Sequence, residues 1–330
     1  PNTLRMAAFT EAKHLCYVTM DPNNALVREH IRAGGRAVAL EAGINGQMIT
    51  LYDHGAHIPL LWTHLIPATL EGKAAFNVQN AMFAAAMAHA MGVRLEDIRH
   101  GLRTFDSTFF QAPGRLNVFD EHPFRVLFDY GHNAHAVEAL VQLATRLDVK
   151  GRRICVFSAP GDRRDEDIAA IGAEAARGEF DHYICRRDDP TRGRGEDEVP
   201  RMLAAALRAH GVSDDRISVI VDEQAAIQAG LAMAAPGDLL LIFADNLARG
   251  WKQIVHFKPD RTVSEIPPAK VARSVPRQSI ADIAATDDRP PRATPASRVD
   301  DDRPSASPAL DELVLIREAR GVIVAPDQND

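Results

Sequence analysis

The sequence is poor in cysteine, has no excess of basic residues and contains no long apolar run. Its three cysteines, Cys16, Cys155 and Cys185, are far apart and match no zinc-binding spacing. The last two lie in apolar, strand-like runs, so we expect buried, reduced thiols and a cytoplasmic protein. The net charge of −7 argues against a general nucleic-acid binder. No segment approaches the roughly 20 apolar residues that span a bilayer, so we expect no membrane association.

Several nucleotide-binding and catalytic motifs are also missing. There is no G-x-x-x-x-G-K-[ST] phosphate-binding loop: the nearest approach, Gly72-Lys73, has Pro67 at the first glycine position and Ala74 at the last. No G-x-G-x-x-G follows a strand, so nicotinamide binding has little support. We find no G-x-S-x-G or H-E-x-x-H, and the thirteen histidines form no metal-ligand cluster. The sequence opens without methionine or a signal-peptide layout, so we expect a fragment.

The first residues alternate short apolar runs with turn signals. CYVTM predicts a strand, and DPNN predicts a turn and a cap for the helix ALVREHIRA. RAVALE predicts a second strand, and MITLYD and HIPLLW on either side of DHGA predict an antiparallel hairpin. These elements are too few for a complete domain, because their apolar faces need a partner sheet.

Two helices follow, and then a regular alternation begins. Asn80 is a candidate cap for the alanine-rich helix AMFAAAMAHAM, and LEDIRHGLRTF predicts a second helix. From RLNVFD and RVLFDY, which predict a hairpin, strands alternate with helices up to LARGWKQIVHF. This pattern is typical of parallel crossovers with helices on both faces of a sheet. The fold class is therefore α/β, with a Rossmann-like, doubly wound, mostly parallel sheet.

The last part of the chain changes character. Residues 259–330 are rich in proline, alanine, serine and charge, with few large apolar residues. Such a composition cannot offset its ordering entropy, so we predict a mostly disordered tail. The final DELVLIREARGVIVAP predicts a strand pair or a docking segment.

Ligands of doubly wound sheets bind beyond the carboxyl ends of the strands, which singles out the four loops after Phe128, Ser158, Cys185 and Phe243. The loop after RVLFDY contains Asp129, His132 and Asn133. A carboxylate at a strand end suits ribose hydroxyls, and donors at a helix N-terminus suit phosphate. The alternative is that Asn133 caps the next helix and His132 is structural. Arg115, before the first strand, could reach a phosphate or pair on the surface.

Two further loops are strongly charged. In GDRRDED, Asp165 could cap the next helix, while the residues at 162–164 could hold phosphate, substrate or a neighbouring domain. In RRDDPTRGRGEDE, Asp188 and Asp189 could receive a cationic amino-acid side chain through paired hydrogen bonds. A solvated surface loop is the alternative for this segment.

Together these motifs resemble the Mur ligase family. AFNVQNAMFAAAMAHAMGV resembles the stretch that joins the central and C-terminal domains, and APGRLNVFD with VLFDYGHNAHAVEAL resembles the start of the C-terminal domain. YVTMDPNN, PGRLN, GDRRDEDI and RGRGEDE stand in the order found in the cyanophycin synthetase branch. The resemblance covers residues 15–257. It implies a partial central domain over 1–75, a helical linker over 76–112, a C-terminal domain over 113–258 and a tail over 259–330.

The resemblance implies an ATP-dependent ligase. Enzymes of this branch attach arginine to the side-chain carboxylates of an aspartate polymer, by way of an acyl phosphate that the amine attacks. The implied cofactors are ATP and Mg²⁺, and the implied partners are arginine, the aspartate-backbone polymer and further copies in a homo-oligomer. The family's ATP-grasp part, P-loop and metal ligands are expected outside these residues. We therefore expect the chain alone to be inactive; the alternative is an inactive fragment that binds a nucleotide or a partner.

The same resemblance assigns residue roles near the nucleotide. Asn77 stands where the family's asparagine contacts adenine, although Phe76 replaces the preceding histidine. Arg115 and Asp129 would contact the phosphate or ribose of ATP, and His132 would lie near the reacting groups. Those four residues are the predicted nucleotide and catalytic positions.

A second set of roles concerns the amino acid. RDDPTR resembles the D-N-P-R loop by which some Mur ligases hold their amino acid. Asp189 replaces the asparagine of that loop, and the arginine falls one place later, at Arg192. Asp188, Asp189 and Arg192 are therefore the implied substrate-binding residues, and the added carboxylate suits arginine as the substrate.

Overall fold

The computed structural model describes residues 6–259, 315–318 and 321–324. Contacts divide the chain into two units, with the boundary between residues 269 and 270. The first unit contains two sheets, each with its own apolar core. The domain boundaries at residues 75 and 112 remain predictions.

The first sheet has four strands in the order β1-β2-β3-β4, which are β1 (Cys16–Thr19), β2 (Arg36–Gly43), β3 (Gly46–Asp53) and β4 (Ala56–Trp62). β1 lies parallel to β2, and the other neighbours are antiparallel. Helix α1 (Ala25–Arg32) links β1 to β2, and the Asn24 side chain caps it by accepting a hydrogen bond from the Val27 N–H. The predicted strands, cap and hairpin are confirmed.

Two helices cover one face of this sheet, α2 (Ala75–Ala90) and α3 (Leu95–Thr104). The prediction that Asn80 caps α2 is wrong, because the helix begins five residues earlier. Val78, in the first turn, is buried in the sheet's core, so burial extends the helix backwards past Asn80. Asn80 instead donates a hydrogen bond to the Asn77 side chain at 3.2 Å.

The second sheet has six strands in the order β5-β6-β10-β7-β8-β9. Only the β5–β6 pair is antiparallel. This confirms the predicted opening hairpin and the mostly parallel sheet. The strands are β5 (Asn117–Phe119), β6 (Arg125–Asp129), β7 (Arg153–Phe157), β8 (His182–Cys185), β9 (Ile217–Val219) and β10 (Leu239–Phe243).

Helices pack on both faces of the second sheet, as the alternating pattern predicts. One apolar core joins the sheet to α4 (Ala134–Arg146), α5 (Asp165–Ala176) and α6 (Glu198–Ala209). The other core joins it to α7 (Glu223–Met233) and α8 (Leu247–His256). The doubly wound α/β fold is therefore confirmed.

Strand β10 fixes where a ligand can enter. It lies between β6 and β7, and the helix after β10 packs on the opposite face from the helices after β6 and β7. The connections therefore diverge at the carboxyl ends of these strands, and such a switch point is where doubly wound sheets bind ligands.

Two of the three cysteine thiols belong to an apolar core of the second sheet, and the third lies outside it. Cys155 and Cys185 are buried, Cys16 is half-buried, and all three are free. Burial raises the pKa of Cys155 far above its usual range and that of Cys185 to about 12. Buried, reduced thiols are thus confirmed for the two strand cysteines.

The second unit contains a two-stranded antiparallel pair, β11 (Leu315–Glu318) and β12 (Gly321–Val324). The predicted strand pair is confirmed. The predicted disorder of the tail concerns residues that lie outside the described part of the chain. Within the described residues, no helix is both long and apolar enough to cross a bilayer.

Candidate functional site

The polar loops at the carboxyl ends of the second sheet touch one another. The Ala244 N–H, after β10, donates to the Asp129 carbonyl at the end of β6 at 2.8 Å. The Ser158 hydroxyl, after β7, donates to the Asp188 carboxylate, after β8, at 2.6 Å. The four loops that the sequence singled out therefore share one edge of the sheet.

Asp129 is the buried carboxylate of this edge. One oxygen accepts the Leu116 N–H at 2.8 Å, and the other accepts the Gly131 N–H at 2.7 Å. Burial raises the pKa of the Asp129 carboxyl, while the nearby Arg115 and His132 oppose that rise. The structure thus brings Arg115, Asp129 and His132 together, and Asp129 ties the two loops that carry the others.

Arg115 projects from a tight turn next to β5. Gly114 and Leu116, on either side, both have positive φ (66° and 50°). The Arg115 side chain is exposed, and within the part of the chain that the structure describes it forms no hydrogen bond. Its guanidinium is therefore accessible to an anionic ligand at this edge of the sheet.

His132 and Asn133 lie just before α4. The His132 Nδ1 lies 3.2 Å from the Tyr130 carbonyl oxygen. Because a carbonyl only accepts, Nδ1 carries the hydrogen and the neutral ring presents Nε2 as an acceptor. Asn133 caps α4 by accepting the Ala136 N–H at 3.0 Å, so the helix-cap interpretation of Asn133 is confirmed.

Asn77 lies in the first turn of α2 and is engaged locally. Its side-chain amide donates to the Ala68 carbonyl at 2.6 Å, and its oxygen accepts from Asn80. In residues 6–259, no hydrogen bond joins Asn77 to the other predicted site residues. A role in binding adenine remains a prediction.

The three residues predicted to bind the amino acid are all paired with protein groups. Asp188 is buried and contacts the Arg186 guanidinium at 3.3 Å as well as Ser158. Asp189 is exposed and pairs with Arg249 at 2.7 Å. Arg192 pairs with Asp162 at 2.8 Å. The structure places the three in one loop of the site edge, and their roles remain predictions.

A buried ion network under this loop escaped the sequence analysis. The Arg186 and Glu223 side chains are 0% exposed and lie 3.2 Å apart. Arg186 also donates to the Phe243 carbonyl at 2.6 Å, and Glu223 accepts from Arg249 at 2.6 Å. The Nε of Arg186 is buried and has no hydrogen-bond partner. The network connects the ends of β8 and β10 with the start of α7.

Asp245, directly after β10, was also missed. Its carboxylate accepts the Asp189 N–H at 3.0 Å, and its own N–H donates to Glu223 at 2.7 Å. The sequence signal for Asp245 was its place in the loop after Phe243, one of the four loops singled out above. The two pairings join residues 22 and 56 positions apart, and no local sequence pattern shows contacts over such separations.

Arg194 was missed as well. It donates to the Gly161 carbonyl at 2.8 Å, the Arg163 carbonyl at 2.7 Å and the Asp165 carboxylate at 2.7 Å. The prediction that Asp165 caps α5 is wrong: it is the first residue of the helix, and its side chain turns to Arg194 instead. Arg194 thus fastens the loop after β8 to the loop after β7.

Gly161 makes this contact between loops possible. A Cβ at Gly161 would lie 2.1 Å from the Thr191 carbonyl oxygen. Any side chain there would force the two loops apart, so only glycine fits the approach.

A cavity of about 280 Å³ lies apart from this edge, between α2 and α4. Lys73, Phe76, His135 and Arg146 are among its lining residues, and none of the seven predicted site residues lines it. Among the residues described, no three His, Cys, Asp or Glu side chains are grouped so as to hold a metal ion.

Comparison with known proteins defines the class. Residues 114–246 match the family model for the Mur ligase, glutamate ligase domain. This range begins at the turn that carries Arg115 and ends just after β10. The chain therefore contains a C-terminal domain of the Mur ligase family.

The more particular similarity is to cyanophycin synthetases. The chain is 39% identical over 262 residues to that of Trichormus variabilis, which covers 76% of this chain and 27% of the relative. It is 31% identical to that of Synechocystis sp. over 78% of this chain and 29% of the relative. The chain thus spans little more than a quarter of the length of these relatives.

Other relatives and structures match less of the chain or match it less well. UDP-N-acetylmuramoyl-L-alanyl-D-glutamate--2,6-diaminopimelate ligase of Thermosynechococcus vestitus is 32% identical over 51% of this chain and 32% of the relative. The crystal structure of Mycobacterium tuberculosis folylpolyglutamate synthase complexed with ADP and AMPPCP is 19% identical, with a TM-score of 0.46, over 76% of this chain and 57% of that one.

Proposed function

We propose that this chain supplies the C-terminal half of the active site of an ATP-dependent carboxylate–amine ligase that joins arginine to aspartate side-chain carboxylates. The observation that carries the proposal is the grouping of Arg115, Asp129 and His132 at the carboxyl end of β6. This is the edge where doubly wound sheets bind ligands. Similarity to cyanophycin synthetases supports arginine and an aspartate polymer as the substrates.

The reaction is a two-step condensation. A carboxylate oxygen attacks the γ-phosphorus of ATP and ADP leaves, which produces an acyl phosphate. The amine nitrogen then attacks the acyl carbon, phosphate leaves, and the nitrogen loses a proton to form the amide. The protein must neutralise the phosphoryl transition state with cations and keep water away from the acyl phosphate.

Residues of this chain would contribute to the first step by holding the nucleotide. The exposed Arg115 guanidinium would bind a phosphate, since it has no competing partner among the described residues. Each Asp129 oxygen already accepts one backbone N–H and can accept one more hydrogen bond, from a ribose hydroxyl. Asn77 would contact adenine after releasing the Ala68 carbonyl. Mg²⁺ would be bound by residues outside this chain.

His132 suits the second step. With Nδ1 donating to the Tyr130 carbonyl, Nε2 is the acceptor of the neutral ring. That nitrogen could receive the proton that the amine loses. We therefore assign His132 as the general base of amide formation.

The incoming arginine would bind over the charged loop after β8. Four guanidinium groups stand there against six carboxylates: Arg186, Arg187, Arg192 and Arg249 against Asp162, Asp188, Asp189, Glu196, Glu223 and Asp245. The excess of negative charge suits a cationic substrate. Asp189 is exposed and would exchange Arg249 for the substrate guanidinium, whereas buried Asp188 would hold the loop in place.

Further partners would complete the enzyme. The P-loop and ATP-grasp parts would supply the phosphate grip and the aspartate polymer, and copies of the chain would assemble into a homo-oligomer. We place this reaction in the cytoplasm, in keeping with the free thiols.

A second function, a partner-binding module without catalysis, has one observation in its favour. The outer face of α2 exposes Phe83 (44%) and Met87 (60%), and Met91 (83%) follows at the C-terminal cap of the helix. No charged residue occurs in the stretch 74–93. A helix that is apolar on both faces is normally covered on both.

Calorimetric titration separates the two functions. We expect ADP to bind the purified chain, and Arg115→Gln to weaken that binding about tenfold, the value of one charge-assisted hydrogen bond. Arg146→Gln, in the separate α2–α4 cavity, is the matched control and should leave the affinity unchanged. If the wild-type chain does not bind ADP, the partner-binding module is the better description.

The amino-acid loop is tested in the same way. Arginine should bind in the presence of ADP, and Asp189→Asn should weaken its binding about tenfold by removing a charged acceptor. Asp197→Asn, an exposed carboxylate paired with Arg201 in the same segment, is the control. Equal effects of the two substitutions would contradict the assignment of Asp189.

A further inference from the structure

Asn117 is a buried polar residue with an unusual number of partners. It is the first residue of β5, and its exposed fraction is 0%. Its side-chain amide donates to the Ser107 carbonyl at 2.8 Å and to the Ala112 carbonyl at 2.9 Å. Its side-chain oxygen accepts the Gly114 N–H at 2.7 Å. The three bonds close the segment 107–114 around one side chain.

The turn that Asn117 closes has an unfavourable backbone. Leu116 has a φ of 50°, a conformation that a residue with a Cβ adopts only at a cost in free energy. Such a conformation persists only where its surroundings enforce it. Here the Leu116 side chain is buried in the core, and its N–H is bound by Asp129.

Arg115 is the outward-facing member of this turn. Gly114 and Leu116 are buried on either side of it, whereas its own side chain is exposed. Its backbone N–H donates to the Ala112 carbonyl at 3.1 Å, the same carbonyl that Asn117 holds. The position of the guanidinium is therefore set by backbone contacts and not by a partner for its side chain.

We propose that Asn117 is a positioning residue, whose side chain holds the turn 112–116 so that Arg115 stays beside Asp129, in place to bind a nucleotide phosphate. The proposal rests on the proposed function for the role of Arg115. Asn117 itself is buried beneath the turn and does not contact the ligand. Substitution of Asn117 releases the turn, and the Arg115 guanidinium then moves away from Asp129. The substitution does not change the charge of the protein.

A double-mutant cycle tests whether Asn117 acts through Arg115. The four proteins are the wild type, Arg115→Gln, Asn117→Ser and the double variant, each titrated with ADP. We expect each single substitution to weaken ADP binding about tenfold. The double variant should bind no more weakly than Arg115→Gln alone, because Asn117 has then nothing left to position. If the fold-losses in ADP affinity of the two single variants multiply in the double variant, the two residues act independently and the proposal is overturned.

A second measurement on the same proteins needs no nucleotide. The charge of Arg115 opposes the rise that burial causes in the pKa of the Asp129 carboxyl. Carboxyl ¹³C NMR can follow the titration of this group. Arg115→Gln and Asn117→Ser should both raise that pKa, with no further rise in the double variant. An unchanged Asp129 pKa in Asn117→Ser would refute the proposal.

The two measurements fail separately. If the wild type does not bind ADP but the pKa cycle behaves as expected, the nucleotide site is wrong and the positioning role stands. If ADP binds and Arg115 matters while Asn117 acts independently, the nucleotide site stands and the positioning role is wrong.

Two further variants guard against a general loss of folding. Asn24→Ser changes a remote asparagine that caps α1 and should leave both readouts unchanged. If Asn117→Ser does not fold, Gly114→Ala disturbs the same turn, because its Cβ would lie 2.5 Å from Leu247 Cδ2. It should reproduce the raised Asp129 pKa, and an unchanged value would overturn the proposal.

Discussion

Arg186 and Glu223 bury opposite charges at the centre of the candidate site. Both are 0% exposed, and the pair joins the end of β8 to the start of α7. Removing charges from water is costly, and the attraction between them offsets that cost only when further hydrogen bonds satisfy both groups. Arg249, Asp188 and the Phe243 carbonyl supply several of those bonds, although the buried Nε atoms of Arg186 and Arg249 have no partner among the described residues.

Glu223→Gln should therefore destabilise the protein strongly. It removes one of the two carboxylates that neutralise the buried Arg186, and we expect the free energy of unfolding to fall by about 3 kcal/mol. Urea denaturation at pH 7 measures this. Asp197→Asn, which removes an exposed ion pair with Arg201, should cost less than about 1 kcal/mol. Similar losses in the two variants would show that the buried pair is not a structural element.

At the residue scale, sequence reasoning found the site residues that stand in motifs and missed the buried pair Arg186 and Glu223. Arg115 and Asp189 stand in recognisable motifs. Arg186 and Glu223 look like ordinary charges at the end of a strand and the start of a helix, where solvent is the default expectation. Their burial depends on packing between elements that are distant in the chain.

Among the elements, β3 and α2 are fastened together by one carboxylate. Asp53, at the end of β3, accepts hydrogen bonds from Arg36 at 2.8 Å, His54 at 2.6 Å and His89 of α2 at 3.0 Å. Although burial opposes it, these bonds hold the pKa of Asp53 well below its usual range. The carboxylate is thus stabilised in its charged form.

The sign of this shift predicts a pH dependence. A carboxyl whose pKa is depressed in the folded state adds stability above its unfolded pKa of about 4, and this is lost as pH falls through the folded value. Asp53→Asn should lower the free energy of unfolding at pH 7 by about 1–2 kcal/mol. The difference from the wild type should shrink as pH falls below about 4. Asp120→Asn, an exposed pair with Arg125, is the control. A difference that is constant from pH 7 to pH 3 would contradict this account.

The positions of elements were easier to predict than their first residues. Every strand of the second sheet, and every helix that packs on it, coincides with an apolar run in the sequence. The starts of α2 and α5 were wrong because Asn80 and Asp165 look like caps. The two starts are decided by the packing of Val78 and by the contact between Arg194 and Asp165. Both depend on elements that are distant in the chain.

For the whole molecule, the fold was predictable because a doubly wound sheet requires only alternating patterns and known crossover rules. The site was predictable to the level of its loops, since ligands of such sheets bind at the strand ends. Which side chains are free for a ligand was not predictable. Asp188 and Arg192 occur in a motif, yet the folded loops pair them with Arg186 and Asp162.

The whole chain should bind its ligands without catalysing the reaction. Its 330 residues contain no G-x-x-x-x-G-K-[ST], the motif that binds the transferred phosphate in P-loop enzymes. We expect no arginine-dependent release of phosphate from ATP by the purified chain. The full-length Trichormus variabilis relative is the positive control. Turnover that scales with arginine concentration would contradict the expectation.

The location of bound ADP tests the central claim most directly, and hydrogen–deuterium exchange with and without ADP would locate it. The strand-end site predicts slower exchange in residues 112–118 and 129–134, with no change in Arg115→Gln at the same ADP concentration. Protection confined to the cavity between α2 and α4, around Lys73, Phe76 and Arg146, would contradict the account.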